Sequence, residues 1–110
     1  MSIYVANASA LTCPSEAEVR STELTSAQLE DYRMNWRWTD TGILITPNQV
    51  WTVSYRYANG INASEALVKG NKRLATLNLH PGTVKKIEYR REACSYYESR
   101  GNELLAIPVN

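Results

Sequence analysis

The sequence predicts an antiparallel, β-rich single domain of the α+β or mainly β class, a curled sheet or small sandwich with one or two short helices near the N-terminus. Three observations predict this class. The chain has 110 residues, the size of one domain. Its composition, 44% hydrophobic and 21% charged, is typical of a folded protein. Segments with an apolar side chain at every second position follow one another between short turn signals, as in antiparallel sheets.

Residues 1–12 are predicted to form a flexible arm or the remnant of a processed leader, and residues 13–110 to form the β-rich domain. The segments Ala6–Ala8 and Ala8–Ala10 both match the small-x-small pattern that signal peptidase cleaves. The mature chain then begins near Leu11, and most of the signal peptide is absent from this chain. The pattern favours a periplasmic or secreted protein, and the alternative is an ordinary tail rich in small residues.

Signals for the start of a helix occur twice after this segment. Ser15 is placed to cap a short helix over Glu16–Arg20, whose first turn carries acidic residues that suit a helix N-terminus. Thr25 and Gln28 have the spacing of a capping box. They predict a second helical turn over Ser26–Asp31.

From residue 32 the hydrophobic period changes to two, which predicts strands. Tyr32–Thr39 and Val50–Tyr57 each place large apolar side chains on one face. A turn is predicted at Asp40–Gly42, before the short apolar run Ile43–Ile45. A tight turn is predicted at Asn59-Gly60, because this dipeptide tolerates positive φ.

The second half of the chain repeats the pattern of short elements. Asn62 or Ser64 is placed to cap a helix that ends before Gly70, with a strand as the alternative. His80–Gly82 has the order of a type II turn. The remaining strands are predicted over Arg73–Leu79, Thr83–Arg91, Ala93–Glu98 and Leu104–Val109.

The aromatic residues of the two alternating strands have two interpretations. Because the chain contains no Phe, its core needs other rings, and Trp36, Trp38, Trp51 and Tyr55 are predicted to fill it. Exposed rings beside Arg37 would instead form a platform that stacks on a glycan or on single-stranded nucleic acid. The first interpretation is favoured.

Charge and motifs argue against several functions. The formal net charge of +1 argues against a general nucleic-acid binder. The most basic run, Lys85–Arg91, is predicted to be the solvated face of a strand. The sequence has one histidine, His80, no glycine-rich phosphate loop and no clustered metal ligands, so no cofactor and no catalytic residue are predicted. A hydrolase with a pair of carboxylates remains an alternative.

The two cysteines, Cys13 and Cys94, lack the spacing of a zinc site or a redox motif. In an oxidising compartment they can pair and join the two ends of the domain. The alternative is two buried free thiols in a reducing compartment.

Two short motifs carry a resemblance. The chain contains LTCPSEAEV near its start and ACSYYESRGNELLAI near its end, with Cys13-Pro14-Ser15, Cys94 and Tyr96, and Leu104-Leu105 as the matching residues. In these motifs it resembles small exported proteins of unknown function from intracellular Gram-negative bacteria. The resemblance implies export and a Cys13–Cys94 bridge. It implies no activity.

These observations together predict a small, exported, non-enzymatic binding or accessory protein. Its partner is predicted to be a protein or peptide, as for an inhibitor or a component of an envelope assembly. Pro108 places Leu104–Val109 at a sheet edge, where a partner strand could pair with it. No apolar run is long enough to span a membrane. The alternatives are a module for glycan or single-stranded nucleic acid, and an unrecognised hydrolase.

Overall fold

A computed structural model of the protein describes residues 11–31, 37–58, 60–99 and 101–109. Within these residues the chain forms one curled antiparallel sheet and two helices, as the sequence predicts. Neither helix is long and apolar enough to cross a bilayer. In chain order the elements are α1 (Glu16–Arg20), β1 (Leu24–Asp31), β2 (Arg37–Thr46), β3 (Gln49–Ala58), α2 (Ala63–Leu74), β4 (Thr83–Lys86), β5 (Glu92–Tyr97) and β6 (Glu103–Pro108).

The described strands lie in the order β1-β2-β3-β6-β5-β4. This order consists of two three-stranded meanders, each preceded by a helix, which meet where β3 pairs with β6. Helix α2 packs on β1 and β2. The segment before α1 packs on β5, where the Tyr96 hydroxyl donates a hydrogen bond to the Pro14 carbonyl. Helix α2 therefore covers the first meander, whereas α1 contacts β2 and the segment before it is joined to β5 of the second meander; both helices lie on the same face of the sheet.

The core lies between this face and the helices. Strand β3 confirms its predicted alternation, because Trp51, Val53 and Tyr55 are buried while Arg56 on the opposite face is exposed. Across the strands, Tyr55 stands beside Leu104. Each buried aromatic ring removes on the order of 150–250 Å² from water. The rings thus take the place that Phe holds in other cores.

Both helices begin at the capping residues that the sequence indicates. Ser15 Oγ accepts from the Glu18 N–H at 3.1 Å, and Glu18 Oε1 accepts from the Ser15 N–H at 2.8 Å. Asn62 Oδ1 accepts from the Glu65 N–H at 2.8 Å. These bonds satisfy backbone donors that the first turn of a helix leaves unpaired. The helix predicted over Glu16–Arg20 is confirmed with these bounds.

The predicted helical turn over Ser26–Asp31 is wrong, because these residues belong to strand β1. Pairing with β2 over most of the length of β1 outweighs the local capping signal. The turn predicted at Asp40–Gly42 is also wrong, since β2 runs straight through it. Glycine is needed at position 42 because the backbone of Glu23 approaches it closely. A Cβ atom there would clash with the Glu23 carbonyl oxygen.

Helix α2 does not end before Gly70 as predicted, but continues to Leu74. Gly70 lies where α2 crosses β2, and a Cβ atom there would stand 2.1 Å from Asp40 Oδ2. The strand predicted over Arg73–Leu79 is wrong, because its start completes α2 and the rest is a loop. Its apolar residues are nevertheless buried, and Leu79 forms an isolated bridge with Glu98.

Strand β6 is not an edge strand, which corrects the prediction for Leu104–Val109. It pairs with β3 on one side and with β5 on the other. Pro108 is tolerated because it is the last residue of the strand, and the next donor, the Val109 N–H, bonds the Val50 carbonyl at 2.8 Å. Among the described strands the edges are β1 and β4. A partner strand therefore has no access to β6.

The predicted disulfide between Cys13 and Cys94 is present, with Cα atoms 5.6 Å apart. It joins residues separated by 81 positions and fastens the segment before α1 to β5. Beside it, burial raises the pKa of the Tyr96 hydroxyl, so the hydroxyl stays protonated and keeps donating to Pro14. This corner of the core is fixed by one covalent bond and one buried hydrogen bond.

Replacing both cysteines, Cys13→Ser with Cys94→Ser, is expected to lower the free energy of unfolding by about 4 kcal/mol, because a long loop is no longer closed in the unfolded chain. Guanidinium titration measures this change. Dithiothreitol should destabilise the unmodified protein to a similar extent and leave the double variant unaffected. A loss below about 1 kcal/mol would contradict the role given to the bridge.

Candidate functional site: a basic cleft at the end of the sheet

The hairpin between β4 and β5 has an unusual turn. The strands close at the pair Lys86 and Glu92, and the predicted strand Thr83–Arg91 therefore stops at Lys86. Tyr89 (φ 59°, ψ 31°) and Arg90 (φ 61°) occupy the left-handed region. The Arg91 N–H bonds the Glu88 carbonyl at 3.3 Å. This geometry is a type I′ turn with Tyr89 and Arg90 at its two central positions.

The residues at these positions are costly for the fold. A type I′ turn favours Asn and Gly, because both central residues need positive φ. A residue with a larger side chain costs about 1–2 kcal/mol in this conformation. Tyr89 gains no compensating burial, since it is 91% exposed. Strain of this kind is concentrated at functional sites, where it fixes the direction of side chains.

Three cations surround the turn. Lys86, Arg90 and Arg91 are all exposed. Two acidic residues, Glu88 and Glu92, lie in the same segment as these cations. The neighbouring Lys85 points to the other face of the sheet, where it donates to Glu103 Oε2 at 2.6 Å. Lys86, the next residue along the strand, thus lies on the side of the hairpin that continues the helix-bearing face.

On this side the cations line a cleft of about 420 Å³, which we call the basic cleft. Leu11 and Pro108 give it apolar wall area, and the Gln49 amide is held in place by bonds to the Val50 and Val109 carbonyls, each 2.9 Å. A smaller cleft of about 260 Å³ adjoins it and shares Leu11 and Gln49. The basic cleft is lined by Leu11, Gln49, Lys86, Arg90, Arg91, Glu92 and Pro108.

The predicted aromatic platform does not form part of this cleft. Trp51 and Tyr55 are each 1% exposed and belong to the core. Trp38 is half-buried, and its indole N–H bonds the Gly60 carbonyl at 2.7 Å. Trp36 and the side chain of Arg37 lie outside the described residues. The indoles of Trp38 and Trp51 thus direct their donors to groups of the protein itself, the latter to Thr46 Oγ1 at 3.1 Å.

One buried carboxyl group bears on the hydrolase alternative. Asp40 is 0% exposed, and neither of its oxygens has a hydrogen-bond partner among the described residues. Burial raises its pKa from 3.8 to about 6. It lies beneath Gly70 of α2 and lines neither of the two clefts described above. The pair of carboxylates in one cleft that glycoside hydrolysis requires is not formed by Asp40.

The described residues also contain no group of three His, Cys, Asp or Glu placed to hold a metal ion. His80 is exposed in the loop before β4. Its backbone N–H bonds the Tyr97 carbonyl at 2.8 Å.

Sequence reasoning missed Tyr89 as a surface residue. In the run KKIEYRR, Ile87 and Tyr89 are two positions apart, which reads as one face of a continuous strand. The actual signal is weak, because neither Tyr nor Arg is typical of a type I′ turn. The other side of the cleft is supplied by Leu11 and Pro108, which no local pattern connects to this hairpin.

No family model, no curated protein and no solved structure matches this chain. The resemblance to exported proteins through Cys13-Pro14-Ser15 and the segment around Cys94 therefore stays a prediction.

Asp40 is expected to make stability depend on pH. Its folded-state pKa of about 6 lies above the ordinary 3.8, so protonation favours the folded state. The protonated carboxyl adds about 3 kcal/mol to the free energy of unfolding relative to the ionised form. This difference is fully present below about pH 4 and is lost as the pH rises through about 6. Urea midpoints measured from pH 4 to 7 should fall. In Asp40→Asn this part of the dependence should disappear, whereas the exposed control Glu23→Gln should retain it.

Relieving the turn is expected to stabilise the protein. The double variant Tyr89→Asn with Arg90→Gly places the preferred residues at the two positive-φ positions, and should raise the free energy of unfolding by about 2 kcal/mol. Urea titration measures the gain. Arg91→Gly is the control, because Arg91 has φ −70° and glycine offers no relief there. An unchanged or lowered stability in the double variant would show that the turn carries no strain.

Proposed function

We propose that this protein is a non-enzymatic binding or accessory protein of an oxidising compartment, and that it holds an acidic segment of a protein partner in the basic cleft. One observation carries the proposal: two residues of the hairpin turn, Tyr89 and Arg90, are held exposed at positive φ, and Arg90 lines a cleft together with Lys86 and Arg91. A sequence selected for stability alone would place Asn and Gly there. The strain is offset if these side chains contribute to binding.

The side chains suit a carboxylate-bearing peptide. The guanidinium groups of Arg90 and Arg91 can each bind a carboxylate through two parallel N–H···O bonds. Lys86 adds a third positive charge to the same cleft. Leu11 and Pro108 offer apolar surface in the cleft to a side chain between the acids, and the exposed Tyr89 lies in the adjoining turn. Tyrosine and arginine are also the residues that most often dominate binding energy in protein interfaces.

The size and charge pattern of the cleft favour a peptide over a nucleic acid. A volume of about 420 Å³ is in the range of binding sites for small ligands or a few side chains. Glu92 lines the same cleft and Glu88 lies in the turn, so a continuous row of phosphates would meet like charges. Isolated carboxylates avoid them. The chain as a whole has a formal net charge of only +1.

The disulfide supports the compartment in this proposal, because such bonds persist in oxidising surroundings and are rare in reducing ones. Together with the small-x-small pattern before Leu11, it supports export to the periplasm or the exterior. An inhibitor and a component of an envelope assembly both use such a surface. Either would bind its partner without chemical change.

Direct binding tests the proposal. We expect a labelled ten-residue peptide with four Glu around a central Leu to bind, and the same peptide with Gln in place of Glu to bind far more weakly. Fluorescence anisotropy in low salt measures the dissociation constants of both peptides. Added salt should weaken the binding of the acidic peptide, because it screens the charges. Arg90→Gln with Arg91→Gln should raise its dissociation constant about 10- to 100-fold, the range for lost hydrogen bonds to charged groups.

The matched control is Lys69→Gln with Lys72→Gln on α2, which removes the same net charge away from the cleft. It should leave binding nearly unchanged. If both pairs of substitutions weakened peptide binding equally, the effect would come from the overall charge of the protein, and the basic cleft would not be the binding site. Equal or tighter binding of a ten-nucleotide single-stranded DNA would assign the cleft to a different class of ligand.

A further inference from the structure

Strand β4 has a side on which no described strand lies. It pairs with β5 alone and ends the strand order of the sheet. All of its residues, Thr83–Lys86, are exposed. The outer side of an edge strand presents backbone N–H and C=O groups that can pair with another chain. We call this outer side of β4 the free edge, and an extended segment of a partner can join the sheet there.

The hydrogen bonds of the hairpin indicate which backbone groups of β4 point outward. The Ile87 N–H bonds the Arg91 carbonyl at 2.8 Å. In an antiparallel pair, successive residues of one strand direct their backbone groups alternately toward the neighbouring strand and away from it. Lys85, two residues before Ile87, therefore directs its backbone groups toward β5. Lys86 and Val84 direct their N–H and C=O groups to the free edge.

The side chains of Val84 and Lys86 lie on the helix-bearing face. Val84 stands opposite the buried Cys94, and Lys86 stands opposite Glu92. A strand added at the free edge places every second side chain on this face. Such a strand would set one side chain beside Val84, which is 39% exposed, and another beside Lys86. An apolar residue suits the first position and an acidic residue the second.

The lysines of β4 make the free edge selective. Lysine on an edge strand discourages pairing with other strands of the sheet type, and native proteins use it for that purpose. Lys85 is bonded on the opposite face to Glu103 Oε2 at 2.6 Å. Lys86 instead lies on the face of the basic cleft, where an acidic side chain of an added strand can pair with it. The residue that discourages neutral strands thus favours an acidic one.

The free edge is continuous with the basic cleft, because Lys86 belongs to both. An extended chain advances about 3.4 Å per residue. The residues that follow a pair at Lys86 therefore reach the turn that carries Arg90 and Arg91. These cations outnumber the acid Glu92 in the lining of the cleft, so an acidic segment is favoured there.

The other edge of the described sheet, β1, is a poorer site for such a segment. The Asn71 side chain of α2 occupies the backbone of Leu24, because its Oδ1 accepts from the Leu24 N–H at 2.7 Å and its Nδ2 donates to the Leu24 carbonyl at 2.9 Å. The pairing of β1 shifts register twice, between Leu24 and Ser26 and between Leu29 and Asp31. Such irregularities protect an edge. Strand β1 also contains no Lys or Arg.

We infer that the acidic segment of the partner binds as an extended strand, which pairs antiparallel with the free edge of β4 and carries its acidic side chains to the cations of the basic cleft. The inference rests on the function proposed for that cleft and adds the conformation and the sequence pattern of the segment. Acidic side chains recur in the segment at every second position, with an apolar one among them, because these positions face Lys86 and Val84.

Backbone N-methylation of the peptide tests the pairing on the intact, oxidised protein. The parent peptide carries Glu, Glu, Leu, Glu and Glu at its even positions and Thr at its odd positions. In antiparallel pairing the even residues direct their N–H groups to β4. Methylating the nitrogen atoms of the Leu and of the Glu on each side of it should raise the dissociation constant at least about tenfold. Methylating three central Thr instead is the matched control, and should raise it less than about threefold.

Measurements on the protein locate the contact. Bound parent peptide should slow hydrogen exchange of the Val84 and Lys86 amides at least about tenfold, whereas the Lys85 amide, which faces β5, should change little. Val84→Pro removes an outward N–H and leaves the bonds to β5 in place. It should raise the dissociation constant of the parent peptide at least about tenfold, and Val84→Ala, which keeps the N–H, less than about threefold.

Two results would overturn the inference. They are equal binding of the two methylated peptides, and unchanged exchange of the Val84 and Lys86 amides in the presence of bound parent peptide. In both cases the parent peptide still binds, and its weaker binding to Arg90→Gln with Arg91→Gln would still support the basic cleft. If the parent peptide does not bind at all, the proposed function of the cleft is itself refuted, and the strand pairing with it.

Discussion

The pairing of β3 with β6 is the interaction on which the rest of the structure depends. It joins the two three-stranded meanders into one sheet and brings Val53 against Ala106 and Tyr55 against Leu104, all of them buried. Without this contact β3 and β6 would each be an edge strand, and the two meanders would not share one core. The disulfide between Cys13 and Cys94 extends the same union, because it fastens the start of the chain to β5 of the second meander.

The helices lie on one face of the sheet, and this arrangement determines which of the described surfaces are exposed. Among the described residues the helices lie on one face, and on the opposite face the outward residues of β2, β3 and β6 are exposed or half-buried. The exposed cations Lys86, Arg90 and Arg91 lie at the end of the helix-bearing side, around a turn that holds Tyr89 and Arg90 at positive φ. The exposed cations of the basic cleft and the exposed apolar side chains of Ile43 and Ile45 thus lie on different parts of the described surface.

Much of the sheet was predictable, and the long-range contacts were not. Strand β3 and helix α1 follow from local signals, the alternation around Trp51 and the capping box at Ser15. The turn predicted at Gly42 and the helix end predicted before Gly70 were wrong for the same reason. Glycine is needed at both positions because a residue distant in sequence packs closely against the backbone there. The cleft was unpredictable for a similar reason: its walls come from residues far apart in sequence, and the conformation of Tyr89 departs from its local preference.

The position of β6 has a consequence for how the protein is made. It is the last strand in the sequence, yet it lies in the middle of the sheet between β3 and β5. A nascent chain that has not yet released its C-terminal residues therefore lacks the strand that unites the two meanders, and cannot complete its core. Until β6 pairs with both of its neighbours, the buried side chains of Trp51, Val53 and Tyr55 on β3 lack an adjoining strand on that side of the sheet.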